Sequence, residues 1–110
     1  MTQADLDKVR GSLAAIEILL ARTPAAAPND DALLEFRRHC WSILLQAHDT
    51  ECQDQIDLLV QHAKDLYSGI ESHRVDALRG KIRMVLSGMR TRLESLEGGY
   101  GKRWRDLRAA

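Results

Sequence analysis

Four histidines (His39, His48, His62, His73) and two cysteines (Cys40, Cys52) are the side chains of this sequence suited to holding a transition metal. On a helix, ligands must recur at steps of three or four to meet on one face. Di-iron bundles meet that need with Glu-x-x-His on paired helices, and no such set occurs here. Glu35 and His39 do stand four apart, but on a helix face opposite the main apolar stripe, pointing to solvent. His48 and Cys52 are also four apart, and share a face only if the helix is continuous between them. The HExxH pair is missing. Solvated or capping histidines, with no metal and no cofactor, are the expectation.

The cysteines are equally poor candidates for nucleophilic work. Both fall on apolar stripes, where a free thiol acts as a small hydrophobe and lacks the electropositive setting that lowers its pKa. There is no nucleophile elbow, no P-loop and no dinucleotide glycine fingerprint. Gly98, Gly99 and Gly101 come after a helical pattern and precede basic residues, which reads as loop and not as a phosphate cradle. Catalysis is not expected.

Arginine supplies the remaining chemistry. At about 100° per residue, Arg79, Arg83 and Arg90 cluster on one flank of an apolar stripe, and Arg74, Lys81 and Arg92 on the other. Tyr100, Lys102, Arg103, Trp104, Arg105 and Arg108 add a cationic, aromatic group beyond them. Such a surface suits phosphate contact with base stacking, or capture of an acidic partner helix. Equally, arginine stems lie along apolar stripes simply to cover them, and Glu94 and Glu97 partly neutralise this flank, Glu94 as an i, i+4 partner of Arg90.

The elements that must carry these residues are helical. Leu6, Val9, Leu13, Ile16 and Leu20 recur at steps of three and four and predict a first helix over 3–22. Thr23 to Asp30 contains both prolines and breaks the chain, with Asn29 or Asp30 placed to cap the next helix. A second helix over 31–47 carries Leu33, Phe36, Cys40, Ile43 and Ala47. Beside them Leu34, Trp41 and Leu45 form a second stripe, so the apolar arc spans about 200°, more than one-sided burial requires. Either this stripe meets a second copy of the chain, or Ile18 and Leu19 of the first helix fold across it.

Thr50 and Gln53 match a capping box, predicting a third helix over 51–68 with Cys52, Ile56, Leu59, Ala63, Leu66 and Ile70 inward. No proline or glycine separates it from the second, so one rod over 31–68 is the alternative. Ser68-Gly69 offers a C-cap. The fourth helix is expected over 72–97, with Val75, Leu78, Ile82, Val85, Met89, Leu93 and Leu96 on its stripe and Gly98 to Gly101 ending it. The fold class is therefore all-α: an antiparallel up-and-down helical bundle of about four helices, three if 31–68 is continuous. Residues 1–98 form the bundle and 99–110 a basic C-terminal tail, dispensable for folding.

Bulk properties agree with one small domain. The sequence has 110 residues, 45% hydrophobic and 29% charged, too many apolar groups for disorder and too few residues for two cores. Sixteen basic and sixteen acidic residues cancel, but residues 1–69 carry a net charge of −5 and residues 70–110 one of +5. That asymmetry either marks an electropositive docking surface or is neutralised inside the bundle. No apolar run reaches the roughly 20 residues of a membrane span, and no signal-type segment opens the chain, so cytoplasmic residence with reduced thiols is expected.

The segment Leu78 to Tyr100, an amphipathic helix with Met89, Arg90, Leu93 and Leu96 closing at Gly98-Gly99-Tyr100-Gly101, resembles the C-terminal part of flagellar or type III export chaperones. The resemblance covers about a fifth of the chain and implies a small helical protein holding a partner helix in an apolar groove. Together these readings lead to a non-catalytic protein-protein interaction module, an adaptor, chaperone or assembly subunit. It would homodimerise through Leu34, Trp41 and Leu45 and bind one further protein. A small nucleic-acid-binding accessory protein using the basic C-terminal third is the alternative.

Overall fold

The computed structural model describes residues 2–23 and 27–109, with the side chains of Ser72 and residues 98–109 excepted. Four helices succeed one another: α1 (Gln3–Arg22), α2 (Asp30–Gln46), α3 (Thr50–Leu66) and α4 (Ser72–Ala109). Among the described residues there is no strand. Each helix packs on the next, and α4 returns to α1, closing an up-and-down four-helix ring.

Caps set the starts. Thr2 and Asp5 form a capping box at α1, each side chain accepting from the other's backbone amide. The Asn29 side chain accepts from the Ala32 amide and starts α2. At α3 the capping residue is Asp49, one residue before the expected Thr50, and its carboxylate accepts from the Cys52 amide. The chain is not one rod over 31–68. Ala47 adopts extended backbone, so α2 and α3 are separate helices joined by a tight turn.

The core runs along the predicted stripes, though Ile70, Val75 and Leu96 on them are only partly buried, and three further departures stand out. Leu86, not Val85, is fully buried on α4, because the stripe drifts by one position where it passes between α1 and α3. Ala32 replaces Leu33 as the inward residue in the first turn of α2, and Leu33 is only partly buried. Tyr67, absent from every predicted stripe, is buried beyond the end of α3 and packs edge-on against Phe36, with ring centroids 6.4 Å apart.

Tyr67 also ties two loops together. The Thr23 hydroxyl donates its single proton to the Leu19 carbonyl, so the Tyr67 hydroxyl must donate to Thr23, at 2.8 Å. The Tyr67 carbonyl accepts from the Asn29 amide at 2.9 Å. Two residues on, Gly69 takes φ +88° and lies so close to Pro28 that a Cβ would stand 2.8 Å from the proline ring. Only glycine meets both demands without strain.

α4 does not end at Gly98. It runs as helix through all three glycines to Ala109, and its 38 residues, at 1.5 Å each, account for the 58 Å long dimension of the molecule. Glycine weakens a helix by roughly 1 kcal/mol per residue but, unlike proline, removes no hydrogen bond.

Candidate protein interface on the second helix

From residue 31 to residue 48, the exposed positions are Asp31, Leu34, Arg37, Arg38, Trp41, Leu45 and His48. Asp31, Leu34, Arg38, Trp41 and Leu45 fall at steps of three and four and form the outer face of α2, whereas His48 lies beyond its end, past the extended Ala47. Its inner face is committed to the bundle through Phe36, Cys40 and Ile43. On the flank toward α1, Ser42 bonds Ser12 and Glu35 receives Arg22. On the flank toward α3, Leu44 packs against the core. Among the described residues, no element of the chain lies over the outer face.

The exposure is large for residues of this kind. Leu34 is 51% exposed, Trp41 64% and Leu45 58%. Intramolecular cover by the end of α1 is overturned: Leu19 turns inward and is buried, whereas Ile18 is itself 64% exposed. One residue apart on α1, the two side chains point about 100° apart, so burying Leu19 leaves Ile18 off the packed face. Trp41 also borders a shallow groove of about 470 Å³ between α2 and α3, with Arg37, Leu44, Val60 and Lys64. Leu45 borders a cleft of about 600 Å³ at the bundle end, with Leu6, His48 and Leu96.

The basic surface is arranged differently. Arg79 donates to the Thr23 carbonyl, Arg90 pairs with Glu17 of α1 where Glu94 was expected, and Arg10 pairs with Glu97. Together they lace the seam between α1 and α4. Arg92 is held by Asp49 and Glu51. Arg83, by contrast, is exposed. Much of the charge asymmetry between the two halves is thus taken up by contacts across the bundle. The side chains of Lys102, Arg103, Trp104, Arg105 and Arg108 lie outside the described residues.

The histidines and cysteines stay apart. His39 stands 3.9 Å from Glu35 on the α1 side of α2, both side chains partly exposed, and His73 is 3.3 Å from Glu71. Burial pushes the Cys40 thiol up to about 12 and the Cys52 thiol to about 11, so both are protonated at neutral pH. Among the described residues, no three of His, Cys, Asp and Glu gather into a metal-binding group. No described helix is long and apolar enough to cross a membrane.

Compared with protein-family models, with curated proteins and with solved structures, the chain matches none. Two residues that organise the site's surroundings are not on any predicted stripe or cap: Asp49, which ends the α2–α3 turn, and Tyr67, which closes the opposite end. An Asp preceding Thr-Glu is itself a readable cap. Nothing local marks Tyr67 as core.

Proposed function

We propose that the chain is a non-catalytic helical protein-interaction module, an adaptor, chaperone or assembly subunit. It self-associates through the outer face of α2 and engages one further protein in a reducing compartment such as the cytoplasm. One observation carries this reading: Leu34, Trp41 and Leu45 are each more than half exposed, while the inward positions of all four helices are already filled. Large apolar side chains gathered on one exposed helix face in this way usually mark a surface shared with a partner. A second copy is the simplest occupant, because a two-fold axis brings the same patch from both sides. Tryptophan at the middle of such a patch commonly dominates its energy.

Leu34→Glu combined with Trp41→Glu tests this by sedimentation and circular dichroism. Wild type is expected to sediment as a dimer at about 100 μM, well above the Kd of a micromolar dimer, and the variant as a helical monomer. A wild-type monomer at that concentration, or a variant that unfolds, overturns the reading.

A further inference from the structure

The outer face of α2 reads the same in both directions. Its central residues Leu34, Arg38, Trp41 and Leu45 are separated by 4, 3 and 4 residues, and all four are exposed. Alternating steps of three and four make a coiled-coil seam, with Arg38 and Trp41 at its centre. The partner that fits a palindromic seam is the same seam run backwards.

We infer that α2 pairs with α2 of a second copy in an antiparallel register whose two-fold axis passes midway between Arg38 and Trp41, each Arg38 stacking on the partner's Trp41. This rests on the proposed self-association and adds its geometry. Reversal about that axis sets Leu34 against Leu45 on both sides of the centre. Each of these four residues then meets a complement: aliphatic on aliphatic, guanidinium on indole. Arginine over an indole face is the most favourable of the cation–aromatic contacts, and the flat guanidinium can stack there while its edges stay wet.

The parallel alternative is disfavoured by the same residues. It would place Arg38 against Arg38 at a buried seam position and Asp31 against Asp31, setting like charges together twice. The antiparallel arrangement also opposes the two helix dipoles. Among the described residues of one copy, no carboxylate pairs with Arg38, so its guanidinium is available for the stack.

A charge exchange separates the register from the association itself. Leu34→Lys alone and Leu45→Glu alone each set charge against leucine in the seam and are expected to give helical monomers. Combined in one chain, they place each new lysine opposite a new glutamate of the partner, and the dimer is expected to return. In a parallel register lysine would face lysine and the double variant would stay monomeric. Arg38→Met should weaken the wild-type dimer about tenfold and Arg38→Lys less, as loss of two guanidinium–indole stacks requires. A monomeric wild type defeats the proposed function and this inference together. A wild-type dimer that Trp41→Glu dissociates, but that the paired exchange fails to restore, defeats the antiparallel register alone.

Discussion

Arg92 of α4 holds Asp49 with both arms of its guanidinium, Nε donating to one carboxylate oxygen at 3.0 Å and a terminal nitrogen to the other at 2.9 Å. The same carboxylate caps α3 through the Cys52 amide. One side chain therefore ends the α2–α3 turn and anchors it to the last helix, and Arg92 holds its carboxyl down at about 2. A carboxyl near 2 in the folded chain and near 3.8 when unfolded adds stability that is fully present above pH 4 and is lost as pH falls through 2.

Asp49→Asn keeps a competent cap and removes the ion pair, whereas Asp49→Ala removes both. Asn should cost under about 1 kcal/mol and Ala about 1–2 kcal/mol at neutral pH. Urea melts from pH 5 to pH 2 should show the advantage of wild type over the Asn variant shrinking below pH 4. An advantage that does not vary with pH would contradict the assigned pairing.

Tyr67→Phe keeps the packing on Phe36 and loses the hydrogen bond to Thr23, for an expected cost of about 1 kcal/mol. Tyr67→Ala should cost about 3–5 kcal/mol, because it empties a fully buried aromatic site. Thermal melts check both. Near-equal effects would mean that the ring contributes little.

The glycines should respond in opposite senses. Gly80 has open space where a Cβ would sit, so Gly80→Ala should stabilise by about 0.5–1 kcal/mol through helix propensity alone. Gly88→Ala brings its methyl to 3.1 Å from the Gln55 amide nitrogen, and the gain should shrink or vanish. Gly69→Ala meets both a left-handed backbone and the Pro28 ring, and should destabilise by more than about 1 kcal/mol. Melting temperatures in that order, Gly80 highest and Gly69 lowest, are the expected result.

Cys40 and Cys52 are buried and held protonated, so the folded chain should resist a thiol reagent such as iodoacetamide at about pH 7.5. Both thiols should react fully in urea. Fast labelling of either in native buffer would show that its helix opens locally.

The sequence by itself determined the helical class, most of the inward residues and the surplus stripe on α2, but left open whether α2 and α3 were one rod. Periodicity and caps are local, and a step of three or four places side chains on one face whatever lies beyond. It could not decide whether Ile18 and Leu19 cover that stripe. The answer depends on which flank of α1 faces α2, a matter of helix rotation set by the packing of the whole ring. Nor could it assign the arginines of α4. Arg90 has Glu94 one turn away in sequence, yet pairs with Glu17 across the bundle. Tyr67 is the clearest case of tertiary control. Its burial comes from two loops meeting at one end of the bundle, where its hydroxyl finds Thr23, 44 residues earlier in the chain. No local pattern encodes that meeting, because it exists only once all four helices are in place.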